Sequence, residues 1–129
     1  MCGLFGFSGQ FDQTLLPAVI SSISHRGPDD SGTYVNSDNN VALVHTRLSI
    51  IDLSPLGHQP MHSPDGKVVI VFNGEIYNFR ELRKTIEGKG TALKGHSDTE
   101  VILHLYLSMG MEMLDCLNGI FAIAIFDGR

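Results

Sequence analysis

The pattern of this 129-residue chain predicts an α+β fold in which β-sheets are sandwiched between helices. Three observations lead there. The runs at residues 41–46 and 68–72 are β-branched and apolar, as expected of interior strands, and residues 120–126 are apolar without interruption, as expected of a strand covered on both faces. Two segments open on Asn78-x-x-Glu81 and Ser97-x-x-Glu100, each a helix-start signature, and each is followed by a glycine stop. The predicted elements then run β, α, β, β, α, α, β along one domain-sized chain.

Taken in order, residues 3–7 are short, apolar and interrupted by glycine, which suits a strand whose backbone passes close to something. Residues 14–24 read as a helix: Pro17 is tolerated in its first turn, and Leu16, Val19, Ile20 and Ile23 are spaced for one buried face. Two glycines, a proline and two aspartates make residues 25–32 a loop. Residues 41–46 and 68–72 are interior strands, and Pro55, Gly57, Pro60 and Pro64 make the segment between them an ordered loop. Helices follow at 78–87, ended by Gly88, and at 97–109, ended by Gly110; residues 120–126 form a last strand. The chain stops at Arg129, just after an Asp127-Gly128 turn signal, so a hairpin partner is expected to be missing and the sandwich truncated at its C-terminus.

Composition excludes several functions. Nine basic against 14 acidic residues give a net charge of −5 with no basic face, which disfavours nucleic acid and anionic membranes as partners. Neither a membrane span nor a secretory signal is legible, so a soluble, cytoplasmic protein is expected. The two cysteines, Cys2 and Cys116, do not form a disulfide framework. Pro60 between His58 and His62 breaks the helical spacing a metal pair would need, and no CxxC or HExxH is present, so no metal is expected.

Cys2 is the most informative residue. Removal of Met1 would place a thiol and a free α-amine on one residue, and an amine titrating near ~7.7–8.0 can take the proton of a thiol titrating near ~8.5. A retained methionine would block that chemistry. Taken alone, an early cysteine reads first as a small buried strand residue, because a free cysteine is usually an inert part of a core.

Five segments in order change the reading: Met1-Cys2-Gly3-Leu4, His25-Arg26-Gly27-Pro28-Asp29, Arg47-Leu48-Ser49-Ile50-Ile51-Asp52, Phe72-Asn73-Gly74-Glu75-Ile76-Tyr77-Asn78 and Ser97-Asp98-Thr99-Glu100. Together they resemble the glutaminase domain of class II glutamine amidotransferases. The histidine-arginine loop and Gly57-His58-Gln59-Pro60-Met61 are similar to the glutamine-hydrolysing asparagine synthetases. The resemblance implies an N-terminal-nucleophile hydrolase fold with four layers, α, β, β, α. Residues 1–129 would then be the N-terminal part of the glutaminase domain, with an ATP-dependent synthetase domain beyond residue 129 of the same chain.

It also implies roles. Cys2 would be the nucleophile, and Asn73 and Gly74 the oxyanion hole, with the asparagine amide and the glycine N–H aimed at the developing charge. Arg47 would hold the α-carboxylate of glutamine by a bidentate fork, helped by backbone groups of Leu48, Ser49, Ile50 and Ile51. Asp98, with Glu75 as a second acid, would take the α-ammonium. Read alone, Arg47 also fits a surface ion pair, Asp98 a dipole-favoured first-turn acid and Asn73-Gly74 a hairpin turn. His25, Arg26 and Asp29 are expected to brace the Cys2 strand, and His45, His58 and Cys116 to have no catalytic part.

The implied enzyme hydrolyses glutamine to glutamate and ammonia through a cysteinyl thioester and delivers ammonia for amidation of aspartate to asparagine. No cofactor is expected in this domain; ATP and Mg belong to the synthetase domain, whose pyrophosphate loop is not found here. The resemblance allows a homodimer. The alternatives are the same chemistry serving another acceptor, a surface sugar or secondary metabolite, or a non-catalytic binding module, against which the intact Cys2, Arg47, Asn73, Gly74 and Asp98 argue.

Overall fold

A computed structural model describes residues 2–50 and 53–129. Two antiparallel three-stranded sheets lie face to face. The first holds β1 (Gly3–Ser8), β2 (Asp30–Asn36) and β3 (Val41–Arg47) in the order β1-β3-β2. The second holds β4 (Met61–His62), β5 (Val68–Ile76) and β6 (Gly119–Asp127) in the order β4-β5-β6.

Period-two alternation explains the layering. On β5, Val69 and Val71 face the first sheet, where they meet Leu43 of β3 among Leu4, Tyr34, Ala124 and Phe126. Val68, Ile70, Phe72 and Ile76 face the other way, onto α2 (Phe79–Gly88) and α3 (Asp98–Met109) through Ile86, Val101, Ile102, Leu103 and Leu105. α1 (Leu16–Ile23) packs on β1 and β3, and the Thr46 hydroxyl donates to the Ile23 carbonyl at its end (3.0 Å). The layers are therefore α, β, β, α, the arrangement expected. Each apolar side chain taken fully out of water on β5 contributes about 1.5–3 kcal/mol, which makes this strand the spine of the molecule.

Several elements differ from expectation. β2 is a strand from Asp30 onward, although residues 25–32 read as a loop; its polar residues suit an edge position, where one side of the ladder faces solvent. β4 lies within the segment expected to be loop. β5 continues to Ile76, so Asn73-Gly74 is strand and not hairpin, paired with Ala122 and Phe121. β6 is covered on both faces only over its second half, where Ile123 and Ile125 pack on the helix side and Ala124 and Phe126 between the sheets; at its start Ile120 is 72 % and Phe121 37 % exposed. On α1 the four apolar residues are half-buried rather than buried, because a two-turn helix covers the sheet from outside only. Asn78 precedes α2 but does not cap it with its side chain, which instead donates to the Cys116 carbonyl and accepts from Asn118 N–H. Ser97 caps α3 as expected, accepting from Glu100 N–H. No helix among the described residues is long and apolar enough to cross a membrane.

Candidate active site

Cys2 stands just ahead of β1, and three contacts fix it. Arg26 donates from Nε to the Cys2 carbonyl (3.0 Å), and the Leu48 N–H points at the sulfur (3.4 Å), while Sγ lies 3.8 Å from the Leu48 carbonyl oxygen. The loop of residues 25–29 is thus a brace. Arg26 holds the cysteine backbone, and Asp29 donates its N–H to the Arg47 carbonyl and accepts the Ser49 N–H on Oδ2 (2.8 Å). His25 is exposed.

Leu43, His45 and Arg47 share the β3 face turned towards the second sheet, so Arg47 leaves the strand end beside Cys2. Its guanidinium is buried: Nη1 donates to the Ser54 carbonyl (3.1 Å), and Gly57 lies so close that a Cβ there would overlap Nη2. Ser54 also caps the short turn Pro55–Gly57 through its hydroxyl, fixing the wall against which the guanidinium rests.

Asp98 sits in the first turn of α3 and is 6 % exposed. Oδ1 accepts from Thr99 N–H (2.9 Å), and Oδ2 is buried without a hydrogen-bond partner among the described residues. Burial pushes its pKa above the usual carboxylate value; the Glu75 charge adds to the rise, and the Ile76 and Thr99 N–H groups oppose it. A carboxylate placed here without a cation is poised to accept one.

These residues surround one cavity of about 290 Å³, near the small end of ligand pockets, which run from roughly 300 Å³. Cys2, Arg47, Leu48, Ile50, Gly74, Glu75 and Asp98 all contribute to its wall. Two expected residues do not. Ser49 turns to Asp29 and to a neighbouring depression with His58, whose Nδ1 lies 2.7 Å from Asp30 Oδ2. Asn73 shares the parity of Val69 and Val71, faces the first sheet and stands off the wall, with Oδ1 buried and without a partner among the described residues. Ile51 and Asp52 of the arginine segment, and Met1, lie outside the described residues.

Gly74 is glycine for a reason other than access to a ligand. Its φ is +152°, and a Cβ would run into the Ile120 carbonyl and lie 2.6 Å from the Phe121 Cα on β6. The cavity also takes Gly57, Gln59, Tyr77, Thr99 and Ile120, none of which the sequence reading assigned. Gly57, Gln59, Tyr77 and Thr99 lie inside the motifs given above, and that place in a motif is the one signal the sequence offers for them. Chemically, the cavity offers a thiol, a guanidinium, two carboxylates and the backbone of Gly74.

A family model described as a glutamine amidotransferase domain matches residues 1–129. The glutamine-hydrolysing asparagine synthetase 1 of Arabidopsis thaliana is 41 % identical over 134 residues, covering 100 % of this chain and 22 % of its own length. The glutamine-hydrolysing asparagine synthetase 2 of Bacillus subtilis is 40 % identical over 134 residues, covering 98 % of this chain and 17 % of its own length. The chain thus spans about a fifth of the length of these relatives. Among solved structures, the glutamine phosphoribosylpyrophosphate amidotransferase of B. subtilis superimposes with a TM-score of 0.83 at 20 % identity, over 99 % of this chain and 35 % of that one, which establishes the shared fold.

Proposed function

Because this chain belongs to the glutamine amidotransferase domain family, we propose that it hydrolyses the side-chain amide of glutamine with Cys2 as nucleophile. One observation carries the reading: the Cys2 thiol, the Arg47 guanidinium and the Asp98 carboxylate, whose Oδ2 has no partner among the described residues, share a single cavity. Arg47 suits the α-carboxylate of the substrate, and Asp98 with Glu75 suits its α-ammonium.

After removal of Met1, the α-amine accepts the thiol proton and the sulfur attacks the amide carbon. The oxygen that becomes negative is met by the Gly74 N–H, and Asn73, whose Oδ1 has no partner among the described residues, joins it once its Nδ2 turns to the cavity. Collapse of the tetrahedral intermediate breaks the C–N bond, the protonated amine returns its proton to the leaving nitrogen, and ammonia departs. Water then attacks the thioester, releasing glutamate and the free thiol. These steps call on no metal or organic cofactor.

The ammonia would amidate aspartate to asparagine in a synthetase domain of the same polypeptide, using ATP and Mg, as the names and greater length of the relatives suggest. A reducing cytoplasm suits the thiol, and a homodimer is compatible with the fold. In the complete protein, Cys2→Ala should abolish glutamate release while glutamine binding stays measurable by calorimetry. Hydrolysis at the parent rate in that variant would remove Cys2 from the mechanism.

A further inference from the structure

His45 is 0 % exposed in the middle of β3, in register with Leu4 of β1 and Gly32 of β2. Its ring crosses the space between the sheets, and Nε2 lies 3.0 Å from the Phe72 carbonyl oxygen on β5. A carbonyl only accepts, so Nε2 carries the hydrogen and Nδ1 is a bare acceptor. Nδ1 is buried with no partner among the described residues. Burial lowers the imidazole pKa to about 4, which keeps the ring in this neutral form at working pH. A phenylalanine would fill the same space without leaving a buried nitrogen unsatisfied, so packing alone does not account for histidine here.

The bond acts at an informative place. The pairing of β4 with β5 ends at Met61 opposite Ile70, so the ladder stops short of Phe72. Side chains take over at that residue. Gln59 accepts the Phe72 N–H on Oε1 (2.6 Å) and donates from Nε2 to the Thr99 hydroxyl (3.1 Å), beside Asp98. His45 holds the carbonyl of the same residue, whose peptide leads directly into Asn73 and Gly74. On its own strand His45 is two residues from Arg47, and its register partner Leu4 is two residues from Cys2.

We propose that His45 is a positioning residue for acyl transfer: its Nε2–H fixes the Phe72–Asn73 peptide, and through it the oxyanion groups, relative to the strand that carries the nucleophile. The inference rests on the function proposed above. It assigns His45 no contact with substrate and no proton transfer.

The test uses His45→Phe and His45→Gln in the complete protein, with Cys2→Ala alongside. Phenylalanine keeps the volume and loses the donor; the terminal amide of glutamine can donate from the Nε2 position. His45→Phe should lower kcat for glutamate release by roughly 10- to 100-fold with KM for glutamine held within about twofold, a smaller loss than the roughly 100- to 1,000-fold that follows outright removal of an oxyanion donor. His45→Gln should restore kcat to within about fivefold of the parent at an unchanged melting temperature. A parent that releases no glutamate, or a Cys2→Ala variant that releases it as fast, overturns the reading of the site and the role of His45 with it. A Cys2-dependent parent whose folded His45→Phe variant keeps its kcat overturns the role of His45 alone. So does loss of kcat and melting temperature together in both variants, which marks His45 as core packing.

Discussion

Gly57 offers a way to disturb Arg47 without touching a charge. A methyl group added there would overlap Nη2 and stand 2.8 Å from Cζ of the guanidinium that donates to the Ser54 carbonyl. The obstacle is the far end of a flexible side chain, and Gly57 has no positive φ, so the backbone accepts alanine and the guanidinium yields. What is lost is the aim of the fork at the substrate carboxylate. A charge-assisted hydrogen bond is worth about 1.5–3 kcal/mol, and 1.4 kcal/mol is about tenfold, so Gly57→Ala should raise KM for glutamine by roughly 10- to 150-fold. Because that contact is made equally in the ground and transition states, kcat should stay close to the parent value. Steady-state glutamate release at saturating and limiting glutamine reads both constants, and thermal melting confirms that the variant is folded. A folded Gly57→Ala enzyme with KM within twofold of the parent would mean that Arg47 does not hold the substrate.

Two further perturbations probe the other walls. Asp98 has its pKa raised, so the folded state holds a proton that the unfolded chain has already released, and stability declines as pH rises from 3.8 through the raised value. Asp98→Asn should therefore melt no lower than the parent at pH 7 in a urea titration while losing glutamine affinity, and in the parent glutamine affinity should weaken on acidification earlier than an exposed carboxylate would dictate. Gly74→Ala should cost about 1–3 kcal/mol in the same titration, from the φ of +152° and the collision with β6, and should remove activity with it. An alanine variant that melts like the parent would show that β5 and β6 can part at the site without penalty.

The sequence made some elements legible and hid others for identifiable reasons. α3 was readable at both ends because its capping is local: Ser97 bonds to Glu100 three residues away, and Gly110 ends the helix. β2 was not, because an edge strand needs little apolar content and Asp30, Ser31 and Gly32 look like turn residues. The extent of β5 was misjudged where Asn73-Gly74 imitates a hairpin signal; only the pairing with Ala122 and Phe121, nearly fifty residues on, decides it. Cys2, Arg47 and Asp98 were nameable from motifs in register, yet nothing in one dimension showed that Asn73 faces between the sheets or that Gly57 supports a guanidinium. His45 is expected from the sequence to have no catalytic part, and its partner, a backbone carbonyl on the other sheet, is invisible in one dimension.

The most direct test of the nucleophile is the mass spectrum of the complete protein after incubation with a diazo ketone analogue of glutamine, followed by peptide mapping. The expected result is a single adduct on a peptide that begins at Cys2 with a free α-amine, suppressed by excess glutamine. An adduct on another residue, or an enzyme that releases glutamate with Met1 still attached, would contradict it.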